Sequence, residues 1–125
     1  MAMAGLRDEL EDLRAQAQAG NPIAQFNMGV RYAQGQGVPQ DYVEAARWYA
    51  AAADQGDVPA QFNLGLLFYQ GQGVERNLAY AFELFRAAAL QGDERARAGM
   101  EAVLQELPPK EREVLLTRLP LPPSH

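Results

Sequence analysis

The chain contains no cysteine and a single histidine, His125, at its last position. These absences exclude a disulfide framework, a thiol nucleophile and the structural zinc sites that cysteine and histidine build. Other reactive side chains are almost as scarce: Lys110, Thr117 and Ser124 are the one lysine, one threonine and one serine, and all fall within the last sixteen residues. A nucleophile paired with a histidine therefore cannot be assembled in the body of the chain, and the protein is expected not to be an enzyme. Aspartate and glutamate mark helix starts and outer faces instead of converging, and no loop alternates acidic ligands, so neither two-carboxylate hydrolysis nor a metal or cofactor site is expected. Long apolar runs are missing too. No stretch of about 18 apolar residues occurs, and Met1-Ala2-Met3-Ala4-Gly5-Leu6-Arg7-Asp8-Glu9 lacks the apolar centre of a secretory signal, so a soluble, cytoplasmic protein without direct membrane insertion is expected. Positive charge is in deficit, 11 Lys and Arg against 16 Asp and Glu for a net charge of −5, which argues against nucleic acid as a partner.

What remains is a chain of 125 residues, 48% hydrophobic and 22% charged, which suits one folded domain. Alanine and glycine are abundant and β-branched residues few, which favours closely packed helices. A shift of 36 residues lays Ala24-Gln25-Phe26-Asn27-Met28-Gly29 on Ala60-Gln61-Phe62-Asn63-Leu64-Gly65, and Gly35-Gln36-Gly37-Val38 on Gly71-Gln72-Gly73-Val74. The same shift lays Ala51-Ala52-Ala53 on Ala87-Ala88-Ala89, and 16 of 36 positions are identical between residues 20–55 and 56–91. Two tandem copies of one supersecondary unit follow.

Each unit reads as two helices joined by a glycine turn. Asn21-Pro22 and Asp57 with Pro59 supply helix starts, and Gly35 and Gly71 stand where a left-handed C-cap favours glycine. Asp41 opens the second helix, with Glu44 three residues on as a capping box, and Asn77 opens its counterpart. Tyr42, Ala45, Tyr49 and Ala52, matched by Leu78, Ala81, Phe85 and Ala88, form a core stripe. Gly29 and Gly65, costly inside a helix, are expected to permit close approach to the alanine runs. Leu6, Leu10, Leu13 and Ala17 make an N-terminal capping helix over residues 6–19. After the two repeats, Ala96, Met100 and Val103 mark a partial third repeat at 92–107. A capping helix at 108–119 follows, with Val114, Leu115, Arg118 and Leu119 to cover the open end. Residues 120–125 read as a flexible tail; the proline-rich ligand motif suggested by Arg118-Leu119-Pro120-Leu121-Pro122-Pro123 is the weaker reading.

The pattern Ala-x-x-x-[Leu/Met]-Gly-x-x-[Tyr/Phe], then Gly-x-Gly-Val, then an Asp or Asn helix start and Ala-Ala-x-x-Gly, resembles the Sel-one-like repeat (SLR) family, relatives of the tetratricopeptide repeats. The resemblance covers roughly residues 20–100, Trp48 and Tyr49 included. It implies an all-α fold, a right-handed α/α superhelix of helix-turn-helix repeats with about seven helices. It also implies a role as adaptor or scaffold in protein–protein interaction. Some members have been described as β-lactamase-like, a chemistry that would lack its serine here.

In related superhelices the first helices line the concave side. At about 100° per residue, Phe26, Val30 and Ala33 share one face and Asn27, Arg31 and Gln34 another, with Phe62, Leu66 and Tyr69, and Asn63, Leu67 and Gln70, as counterparts. The apolar set either packs between repeats or meets a ligand, and sequence leaves both open. Asn27 and Asn63 are poor helix-interior residues, which suggests bonding to a loop or to a ligand main chain. Arg31 suits a carboxylate, though an intramolecular pair or solvation is the plainer reading. The candidate surface is therefore Phe26, Asn27, Val30, Arg31, Gln34, Phe62, Asn63, Leu66, Leu67, Tyr69 and Gln70. Its expected partner is a protein, offering a peptide or a helix, to a chain that is monomeric. A self-assembling structural element is the alternative, and a hydrolase-like enzyme the more remote one.

Overall fold

The computed structural model describes residues 2–122, with side chains from residue 9 onward. Among these, seven helices and no strands are present: α1 (Ala2–Gln18), α2 (Pro22–Gln34), α3 (Tyr42–Asp54), α4 (Val58–Gln70), α5 (Leu78–Leu90), α6 (Glu94–Glu106) and α7 (Pro109–Arg118). Leu6, expected in the N-terminal stripe, lies outside the described side chains, as do Ser124 and His125.

The two repeats start and stop by the same chemistry. Asn21 and Asp57 accept from the amides of Ala24 and Ala60, satisfying one of the free N–H groups of each first turn. Gly35 and Gly71 close α2 and α4 in the left-handed region at φ 69° and 71°, donating to the carbonyls of Arg31 and Leu67. The turn then seals each hairpin: the Asp41 amide donates to Tyr32 O at 2.9 Å, and the Asn77 amide to Phe68 O at 3.0 Å. Asp41 caps α3 through Val43 and Glu44, but the expected capping box is half made. Glu44 turns outward to Arg47 at 2.9 Å, and the Asp41 amide it would have met is already used by Tyr32.

Helices adjacent in sequence pack in sequence, α1 on α2, α2 on α3, α3 on α4, α4 on α5 and α5 on α6. Three buried clusters follow one another along the stack. Ala17, Ala24 and Met28 fill its start; Ala45, Tyr49, Leu64, Leu67 and Leu84 its middle; Phe82, Phe85, Met100, Val103 and Leu115 its end. Gly29 and Gly65 are buried as expected, but against rings and not alanines. A Cβ on Gly29 would meet Tyr49 Cδ1 at 2.5 Å, and one on Gly65 would meet Phe85 Cε1 at 2.6 Å. The missing methyl is filled by a neighbouring aromatic, because small residues let a ring lie directly on a helix backbone. Gly73 has a related reason: its φ of 73° is combined with a position against the Tyr42 backbone, so the turn of one repeat rests on the previous repeat's second helix.

At the C-terminal end the cap is thinner than expected. Leu115 is buried and Leu119 half-buried, but Val114 is 66% exposed and Arg118 also points outward. α7, ten residues long and beginning at the second proline of the Pro108-Pro109 pair, turns only one edge to the stack. Residues 120–122 depart from the expected flexible tail: Arg86 Nε donates to Pro120 O at 2.7 Å and Pro122 is buried, which lays the chain back along α5. The rest of that segment lies outside the described residues.

Candidate interaction surface

The apolar stripe of the first helices is packed against other helices, chiefly the second helix of its own repeat. Phe26 lies 5.7 Å from the Tyr49 ring, and Phe62 lies 5.8 Å from Phe85 beneath the Arg95 guanidinium at 4.3 Å. Val30 packs on the middle cluster and Leu66 on the end cluster, both half-buried. Leu67, placed by helical phase beside Asn63 and Gln70, is only 5% exposed and belongs to the core. Its expected role at the surface is corrected, because Leu67 packs with Ala45, Ala46 and Tyr49 of α3 in the middle cluster.

Tyr69 is also engaged. Its hydroxyl bonds the Glu106 carboxylate, which raises the phenol above its ordinary value and holds the carboxyl below the usual range. Arg76 stacks over the ring at 5.7 Å and pairs with Glu106 at 3.1 Å, tying the second turn to α6. Gln34 and Gln70 are exposed.

The two asparagines have different fates. Asn63 is half-buried, and its side chain bonds the Tyr49 hydroxyl; burial raises that phenol, and the Asn63 bond opposes the rise. Asn27 is exposed and has no hydrogen bond within the described residues. The difference has a cause in the preceding helix. Leu13 stands in α1 where Tyr49 stands in α3, so Asn27 faces no hydroxyl. In the third unit Phe85 takes the aromatic position and Gly99 replaces the asparagine, its missing Cβ leaving room for the ring at 2.8 Å.

Asn27 opens instead onto a groove between α1 and α2 of about 400 Å³, lined by Glu9, Asp12, Leu13 and Gln16 on one wall and Asn27, Val30, Arg31 and Gln36 on the other. Arg31 is half-buried and forms no ion pair among the described residues, although two carboxylates line the same groove. Sequence reasoning named Asn27, Val30 and Arg31 but missed the α1 wall. The signal was available in phase: Glu9, Asp12, Leu13 and Gln16 share a helical face beside the apolar stripe. A second, apolar groove of about 450 Å³ runs along α7, between Ala79, Leu107, Val114 and Leu115. No cluster among the described residues could hold a metal ion, and no described helix is long and apolar enough to cross a membrane.

Comparison with known proteins gives two kinds of match. A family model for the Sel1 repeat matches residues 22–57 and 58–93. Among solved structures, the chain is similar to c5321, a protective antigen present in uropathogenic Escherichia coli strains and displaying an SLR fold. The identity is 39% and the TM-score 0.73, over 75% of this chain and 20% of that one. It is also similar to a Sel1 repeat protein from Oxalobacter formigenes, with 36% identity and a TM-score of 0.72, over 73% of this chain and 26% of that one. The matched segment thus spans about a fifth to a quarter of those longer proteins. No curated protein matches the chain.

Proposed function

Because the chain belongs to the Sel1 repeat family, whose members are in general non-catalytic protein-interaction modules, we propose that it is an adaptor or scaffold that holds a segment of another protein on the exposed face of its first repeat. The observation that carries this reading is the groove between α1 and α2. There Asn27 and Arg31 project from a helix whose Met28 is buried in the core and whose Phe26 lies on Tyr49, and neither has an intramolecular partner among the described residues. Polar groups without internal bonds on a rigid helix contribute little to folding and are pre-organised for a ligand. Other candidates serve by holding that helix in place: Phe26 seats α2 on Tyr49 of α3, Val30 packs on the middle cluster, and Asn63, Leu66 and Tyr69 fix α4 behind it.

The test is crosslinking in the native cell followed by mass spectrometry on the parent chain and on Asn27→Ala and Arg31→Glu. Crosslinks to a protein partner should map to α1 and α2 and disappear in both variants while helicity and melting are unchanged. Crosslinks that persist in the variants, or that map elsewhere, refute the reading. Exposed Val114 beside the apolar groove of α7 favours a second reading, self-assembly through the C-terminal helix. Sedimentation across protein concentrations separates the two, since a strict monomer removes the second.

A further inference from the structure

We infer that the groove between α1 and α2 takes an extended peptide in which a basic residue and an acidic residue are adjacent, an inference that rests on the interaction role proposed above and specifies its partner. The two walls carry opposite charge. Glu9 and Asp12 project from α1 and Arg31 from α2, and no ion pair joins them across the gap. Three charges line one groove without neutralising one another, so an occupant that presents a cation to one wall and an anion to the other gains both pairings.

An extended chain does this with neighbouring residues, because successive side chains of a strand point to opposite sides. A helix does not, since its near neighbours in space are three and four residues apart and share one side. The dimensions agree with a strand. Asn27 and Arg31 are one helical turn apart, about 6 Å along α2, which is about two residues of extended peptide. The residue two positions from the acidic one therefore turns its side chain to the same wall, beside the Asn27 carboxamide, which can both donate to and accept from a small polar side chain such as serine. Gln16 offers the same chemistry from the facing wall, and Leu13 and Val30, both half-buried, give the strand an apolar floor. With two carboxylates against one guanidinium, and a net charge of −5 on the whole chain, the basic residue of the peptide supplies the larger share of attraction. The same balance turns away nucleic acid, whose phosphates would face Glu9 and Asp12.

Dye-labelled short peptides in a Gly/Ser background provide the test, read by fluorescence anisotropy at low salt with the full chain. One carries an adjacent Lys-Glu pair; a second separates the two by one serine, so that both charges fall on the same side. The Lys-Glu peptide should bind about fivefold more tightly than the separated one. Asp12→Asn and Arg31→Gln should each weaken it by about two- to fivefold, and Asn27→Ala should weaken both peptides alike. Arg31→Glu should reverse the preference on the α2 wall, so that a Lys-Lys peptide overtakes Lys-Glu. Equal binding of the two Lys/Glu peptides, or indifference to Arg31, overturns the inference. If the peptides are indifferent while cellular crosslinks still depend on Asn27 and Arg31, the partner chemistry is wrong and the interaction role stands. If neither depends on these residues, both fall.

Discussion

Replacing Gly65 with alanine should destabilise the fold even though alanine is the better helix former. Substitution inside a helix gains about 1 kcal/mol from propensity. Against this, the new Cβ would stand 2.6 Å from Phe85 Cε1 and 2.8 Å from Cδ1. Ordinary carbon contacts begin near 3.5 Å, so the ring must yield by roughly 0.9 Å. It has nowhere to go. Its opposite edge lies on Gly99, where an added Cβ would be 2.8 Å from Cδ2, and the residue is 1% exposed. Overpacking a confined site costs typically about 1–3 kcal/mol, and confinement from both edges puts this site at the upper end. The net expectation is a loss of about 2 kcal/mol, or a fall of roughly 8 °C in Tm for a chain of this size. Urea unfolding followed by helical circular dichroism measures it. Pairing Gly65→Ala with Phe85→Leu, which frees space at the ring, should be milder than the sum of the single changes by more than about 1 kcal/mol. A Gly65→Ala variant as stable as the parent, or strict additivity in the pair, would refute the argument that the glycine exists to receive the ring.

Two further outcomes follow from polar groups in the stack. Gln25 donates to Ala17 O at 3.1 Å and accepts from Gln55 at 2.8 Å, whereas its counterpart Gln61 buries an Oε1 that has no hydrogen-bond partner. Gln25→Met should therefore cost about 1–2 kcal/mol and Gln61→Met nothing or less, measured by urea midpoint; equal losses would contradict the assignment. Asp93 accepts from the amides of Arg95 and Ala96 at the start of α6 and holds the Arg95 guanidinium at 3.0 Å. Chiefly through the Arg95 bond, its carboxyl is held below the usual range. A depressed carboxyl stabilises the fold above its unfolded value, so this contribution is complete above about pH 4 and is lost as pH falls through the lowered value. Asp93→Asn should flatten that part of the acid profile while the parent's midpoint declines; parallel profiles would exclude the mechanism.

The fold was legible because helix starts and stops are local chemistry. Asn21, Asp41, Asp57 and Asn77 all cap through side-chain oxygens, and Gly35 and Gly71 take the left-handed conformation. The 36-residue register needs only matching residue types to be seen. The accessibility of a helix face is not local. Val30 and Leu66, or Phe26 and Phe62, have the same phase whether a neighbour covers them or not, and phase sets Leu67 with the polar face because it cannot register that α3 covers that side of α4. Val114 reads as cover for the same reason, since a short amphipathic pattern says which residues share a side and not how far the helix leans on the stack.

Asn27 and Asn63 show how a repeat can conceal a site. Aligned with each other they are equivalent, and that equivalence suggests one shared task. The partner of each, however, comes from the helix before it, and that helix differs: Leu13 for Asn27, Tyr49 for Asn63 and Phe85 for Gly99. A tyrosine hydroxyl takes the carboxamide into the fold, and a phenylalanine, having none, is matched by glycine and a closer ring. Leucine offers neither a hydroxyl nor a ring, so packing sets no requirement for a carboxamide at Asn27, where helix propensity alone would favour alanine. The polar group there is one that folding does not explain, and it stands on the wall of the groove where Arg31 and the two carboxylates are likewise unpaired among the described residues.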